Sequence, residues 1–203
     1  AAAPNASVLA VDARDLLFQR EPFGALRDAR DALVPRGGCR LTLAADCACR
    51  SSEDAYFQRW ASCLPAASIA AIGSQPPVNG GIVHGRATAV RALYWKAALL
   101  ASTTADARCA AGGREQHLLT AAALALRKRR PAEVCVLPND LRQHAAFFNM
   151  GVSNSVADVQ LDAATGRVRA PGVGAEALGE AVALVHQFDR RPAVAAFVRR
   201  HLK

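Results

Sequence analysis

The chain has 203 residues, is 52% hydrophobic and carries a formal net charge of +8. That length and apolar content suit one domain with a sizeable core, spanning 1–203, rather than two, and no apolar run reaches the ~18–20 residues of a membrane-spanning helix. The positive charge is almost wholly arginine, with Lys96, Lys128 and Lys203 the only lysines. No basic run is interleaved with aromatic residues, so the charge alone gives a nucleic-acid-binding module little support.

Ser7 to Asp12 reads as a buried strand ending in Asp12-Ala13-Arg14-Asp15. Gly24 to Leu33 is a helical stretch stopped by Pro35 and Gly37-Gly38. Arg40 to Ala45 is a second strand. Ser51 to Leu64 is a helix, with Ser51 and Asp54 in the pattern of a capping box and Pro65 ending it. Gly73 to Pro77 is a loop, and Val78 to Gly85 a strand with glycines near both ends. Thr88 to Ser102 is an amphipathic helix, and Arg114 to Leu126 another, opened by Gly112-Gly113. The basic cluster Arg127 to Arg130 suits a helix C-terminus, where cations meet the negative end of the dipole. Glu133 to Leu137 is a strand followed by the turn Pro138-Asn139-Asp140. Val156 to Val168 resembles a hairpin turning at Asp162 to Gly166. Ala181 to Val185 is a last strand, and Pro192 to Leu202 a closing helix with proline in its first turn. The alternation argues for an α/β fold, a mixed sheet flanked by helices.

The six cysteines fit no zinc-site spacing, and Cys47-Ala48-Cys49 is too tight for a Cys-x-x-Cys pair. Their even number allows either disulfides or buried thiols. Asn5-Ala6-Ser7 is a glycosylation sequon. With the cysteines it points to the secretory pathway or Golgi lumen. No charged segment followed by an apolar run, the mark of a secretory leader, opens the sequence. Ala1-Ala2-Ala3-Pro4 leads at once into a core strand, as expected of the mature or excised part of a longer protein.

Four polar clusters sit where strands end or helices begin. Asp12 and Asp15 close an apolar strand, and ligands in open α/β sheets bind beyond strand carboxyl ends. Two carboxylates there suit a divalent cation. Asn79-Gly80-Gly81 lets a ligand or another backbone approach closely. Glu115-Gln116 opens a helix, where an acid also suits the dipole. His186, in His186-Gln187-Phe188-Asp189-Arg190, follows a strand, and imidazole ligates manganese or zinc.

In this order the clusters resemble a glycosyltransferase family with the nucleotide-diphospho-sugar transferase (GT-A type) fold. Asp12 to Phe23 resembles its acidic D-x-x-D motif followed by "FQ" and "PF". Trp60 and Cys63 resemble its tryptophan–cysteine stretch, and Asn79 to Gly85 its "N-x-G-V-x-x-G" strand. Glu115-Gln116 resembles its "D-Q" helix start, with glutamate for aspartate. His186 to Pro192 resembles its "HQYDRHP", with Phe188 for tyrosine and Arg191 for histidine. The resemblance spans Val8 to Pro192. It implies transfer of a sugar from a nucleotide-diphospho-sugar donor to a glycan or protein acceptor, assisted by Mn²⁺ or Mg²⁺. Asp12, Asp15 and His186 would hold the metal. Glu115 and Gln116 would face the sugar or acceptor. Asn79, Gly80 and Gly81 would line the donor sugar, and Arg14 and Arg190 would pair with phosphate. The family places base-binding βαβ units before its acidic motif, whereas only eleven residues precede Asp12. A truncated, partial GT-A-like domain is therefore expected, and a non-catalytic remnant of one is the alternative.

Overall fold

The structure is a computed structural model that describes residues 3, 5–33, 39–47, 49–104, 115–151, 159–172 and 178–201. The side chains of Tyr56, Trp60 and Leu178 lie outside the described part, as do Pro35, Gly37-Gly38, Gly112-Gly113, Arg114, Val156, Leu202 and Lys203. The fold is mixed α/β, built on three sheets.

The first sheet has the order β1 (Ser7–Val11), β4 (Val78–Arg86), β3 (Leu41–Ala45), β5 (Val134–Leu137). β4 runs antiparallel to β1 and β3, and β3 is parallel to β5. All five residues of β3 are buried, as a central strand covered on both faces requires, which is why Thr42 is the only polar residue in it. Helices α4 (Ala87–Thr103) and α5 (Glu115–Arg129) pack on each other and on β4. Leu43, Val83, Leu93, Leu119 and Ala122 form the centre of that core. Helix α1 (Pro22–Leu33) buries Ala25, Leu26 and Ala29 with Ala44, Ile82, Phe147 and Leu184, so it joins the first sheet to the second.

The second sheet is β2 (Leu16–Phe18), β10 (Leu184–His186), β6 (Phe147–Asn149), with β10 antiparallel to β2 and parallel to β6. The third is an antiparallel meander of β7 (Gln160–Asp162), β8 (Arg167–Pro171) and β9 (Leu178–Ala181). Helix α6 (Pro192–His201) packs Val194, Phe197 and Val198 against Val168, Val182 and Val185.

Several expectations are corrected. The stretch Ser51 to Leu64 is not one helix. Helix α2 covers only Ala55–Ala61, and a further helix, α3 (Ala66–Gly73), starts after Pro65 where the sequence reading has no element before the loop at Gly73. Ser51 does not cap: its hydroxyl donates to the Gln75 carbonyl at 2.8 Å. Asp54 caps instead, accepting from the Phe57 N–H at 3.0 Å. The single strand Ala181 to Val185 is two strands, β9 and β10, in different sheets. Two further three-residue strands, β2 and β6, complete the second sheet. Disulfides join Cys39 to Cys135 and Cys47 to Cys49. Of the two states the even cysteine number allows, these cysteines adopt the disulfide. Cys63 is disulfide-bonded as well.

Candidate functional site

The strand directions gather the polar clusters at one end of the first sheet. β1 and β3 both finish where β4 begins. The Asp12 N–H donates to the Gly81 carbonyl at 3.1 Å, and the Asp46 N–H to the Pro77 carbonyl at 2.8 Å. Asp12 and Asp46 thus flank Asn79-Gly80-Gly81. The second sheet completes the arrangement. His186 stands opposite Leu16 of β2 and Asn149 of β6, so Asp15, one residue before β2, reaches the imidazole. The Gln187 N–H donates to the Asp15 carbonyl at 2.8 Å.

His186 Nε2 lies 3.2 Å from Asp15 Oδ1, and both side chains are 3% exposed. Neither atom makes an aligned hydrogen bond, so both are buried polar atoms without a partner. Such groups are costly and rare in folded proteins. Ligand atoms of Asp12, Asp15 and His186 lie within 4.8 Å of one another. Asp12 is exposed, and one of its oxygens accepts from the Arg14 N–H at 3.1 Å. Burial lowers the His186 pKa, against the opposing pull of Asp15, Asp12 and Asp46, while Arg190 lowers it further.

Gly81 makes room for this ring. A Cβ there would lie 2.6 Å from His186 Cε1 and closer still to Nε2. The close approach that the glycine pair signalled is thus, at Gly81, that of the imidazole.

Beside the cluster opens a cleft of about 240 Å³. Nine of the ten residues singled out from the sequence line it: Asp12, Arg14, Asn79, Gly80, Gly81, Glu115, Gln116, His186 and Arg190. The tenth, Asp15, is buried behind His186. Arg14 and Arg190 are exposed, and neither forms a salt bridge among the described residues. Glu115 stands at the start of α5 beside Gly80.

Asp46, Asp54, Gly151 and Gln187 also line the cleft and were missed. Asp46 is the organising acid. It accepts from Asn79 Nδ2 at 2.9 Å, from Gln116 Nε2 at 2.8 Å and from Asn149 Nδ2. Gln116 therefore spends its amide on a carboxylate. Asn79 Oδ1 in turn accepts from the Gly81 N–H at 2.8 Å. The signal for Asp46 was present: an apolar strand ending in an acid, as at Asp12.

Chemically, four carboxylates and two unpaired guanidiniums face one small cleft, with an imidazole between them. This donor set suits a hard divalent cation together with a polyanion. No helix among the described residues is long and apolar enough to cross a membrane. No family model matches the chain, and neither a curated protein nor a solved structure matches it.

Proposed function

We propose that this chain is a glycosyl-transfer domain of the nucleotide-diphospho-sugar transferase (GT-A) type, in which Asp12, Asp15 and His186 hold Mn²⁺ or Mg²⁺. One observation carries the reading. Residues from opposite ends of the chain meet with two buried ligand atoms, Asp15 Oδ1 and His186 Nε2, that have no hydrogen-bond partner. A divalent cation would satisfy both, and would neutralise the charge that grows on a diphosphate leaving group.

The chain's own residues supply the rest. Arg14 and Arg190 are free to hold phosphate oxygens. The backbone at Gly80 and the Glu115 carboxylate offer acceptors and donors for sugar hydroxyls, and the acceptor substrate is a glycan or a protein. The disulfides and an exposed Asn5 in the sequon support a lumenal or otherwise oxidising compartment.

The test is a thermal-shift and hydrolysis screen of nucleoside diphosphates and their sugars with Mn²⁺. Joint stabilisation by Mn²⁺ and one nucleoside diphosphate is expected, with hydrolysis lost in Asp15→Ala and His186→Ala. No joint shift with any nucleotide, or hydrolysis that both substitutions leave intact, defeats the reading.

A further inference from the structure

Asn149 is fully buried on β6, directly opposite His186. Its side-chain nitrogen faces two oxygens of one residue, the Asp46 carbonyl at 3.0 Å and the Asp46 carboxylate. Neither can donate, so the amide nitrogen must point at Asp46. Its other end, Oδ1, then points at His186 Nδ1, 3.1 Å away. An amide oxygen only accepts, so Nδ1 must carry the proton. The backbone of Asn149 is fixed independently, its N–H donating to Asn139 Oδ1 at 3.0 Å and its carbonyl accepting from Asn139 Nδ2 at 2.9 Å.

A neutral ring with its proton on Nδ1 has a bare lone pair on Nε2. That lone pair faces the Asp15 carboxylate at 3.2 Å. Two acceptors are held face to face in a buried place, an arrangement that a cation between them would relieve. Metal-binding histidines commonly have their second nitrogen fixed in this manner by an outer partner.

We infer that Asn149, anchored on Asp46, is a positioning residue that locks His186 in the Nδ1-protonated form and aims its Nε2 lone pair at the cation site. The inference rests on the reading of His186 as a cation ligand. It adds two residues, Asn149 and Asp46, that would touch neither the cation nor the diphosphate through this relay. It also gives the amide of Asn149 a required orientation, which a merely space-filling residue would lack.

Two measurements test it. The first needs no metal and no variant. Long-range ¹H–¹⁵N NMR of the native, metal-free protein is expected to show the His186 ring protonated at Nδ1 and bare at Nε2, and a ring protonated at Nε2 overturns the inference. The second is Mn²⁺ affinity by electron paramagnetic resonance. Asn149→Leu, which keeps the branched outline of the side chain and removes the acceptor, is expected to weaken binding about 10–100-fold, the usual cost of losing an outer partner. Wild-type affinity in Asn149→Leu overturns the inference. Native protein with the expected ring that binds no Mn²⁺ defeats the cation reading itself, and the positioning role with it. The ring signal tells that failure apart from a failure of the Asn149 relay.

Discussion

Two places in this molecule hold a buried carboxylate beside a left-handed backbone position, and they treat both differently. In the β7–β8 turn, Asp162 accepts from the Thr165 hydroxyl at 2.5 Å, from Arg169 Nε at 2.7 Å and from the Ala164 N–H at 3.0 Å. The left-handed residue there is Gly166, with φ of 68°. At the end of β10, Asp15 Oδ1 has no hydrogen bond, and the left-handed residue is Gln187, with φ of 56°. The hairpin meets every local rule, whereas the cleft breaks two of them within a few ångströms. Departures of this kind collect where a protein binds something. The contrast supports the proposal that Asp15 is a cation ligand and leaves Asp162 a structural role.

The largest effects should come from breaking the cleft side of this contrast. Gly81→Ala drives a methyl group into the His186 ring, with the backbone of β4 unable to retreat from β1 and β3. Asp15→Ala removes one of the proposed cation ligands outright. Both are expected to weaken Mn²⁺ binding by more than ~100-fold, beyond the cost of an outer partner, as read by electron paramagnetic resonance. Asp162→Ala should leave that affinity unchanged and lower the Tm. Equal Mn²⁺ binding in Asp15→Ala and Asp162→Ala would erase the distinction between the two acids.

Ligand-linked stability is the next largest effect. Mn²⁺ at a hundred times its Kd should stabilise the native protein by about 2.7 kcal/mol, raising the Tm by roughly 5–10 °C for a chain of this length. EDTA should reverse the gain, Asp15→Ala should show none, and Asp162→Asn should keep it. A gain that survives in Asp15→Ala would place the ion elsewhere.

Acid sharpens the hairpin side. Hydrogen bonds from Thr165, and then from Arg169 and the turn amides, hold the Asp162 carboxyl down to about 2, against burial, from its ordinary 3.8. A depressed folded pKa means that the ionised form stabilises the native state. That contribution is complete above the ordinary value and disappears as pH falls from 3.8 through about 2. Asp140, lowered to about 2 chiefly by Arg142, acts in the same window. Asp162→Asn should flatten, without abolishing, the fall in Tm across that range, and an unchanged profile would mean that Asp162 is not held by these bonds.

How much of this was legible depended on the length over which a pattern repeats. Strand β1 with Asp12, the long helices α4 and α5, and α6 behind Pro192 all show periodicity or caps over many residues. Three-residue strands such as β2, β6 and β10 carry no period. They form because β10 finds partners on both sides, which is a tertiary fact. Ser51 matched a capping box, but the Gln75 carbonyl, 24 residues away, took its hydroxyl. In the site, acids at strand ends could be read singly. Asp46 could not be recognised as a hub, because its amide partners Asn79, Gln116 and Asn149 lie 33, 70 and 103 residues away.

The smallest expected effect concerns the second broken rule. A side chain in the left-handed region costs about 1–2 kcal/mol, which Gly166 avoids and Gln187 does not. Glycine at 187 would relieve that strain, at a cost of roughly 0.4–1 kcal/mol from the greater freedom of the unfolded chain. Gln187→Gly is therefore expected to gain about 0.5 kcal/mol, or roughly 1–2 °C in Tm. Gln187→Val, whose branched Cβ suits this region poorly, should lose more than that. Both changes leave the Gln187 N–H free to meet the Asp15 carbonyl, so a thermal melt isolates the conformation from the contact. A fall in Tm for Gln187→Gly would show that the glutamine side chain, which reaches toward Gly151, holds this turn. The glutamine would then be part of the cleft's construction rather than a strain tolerated beside it.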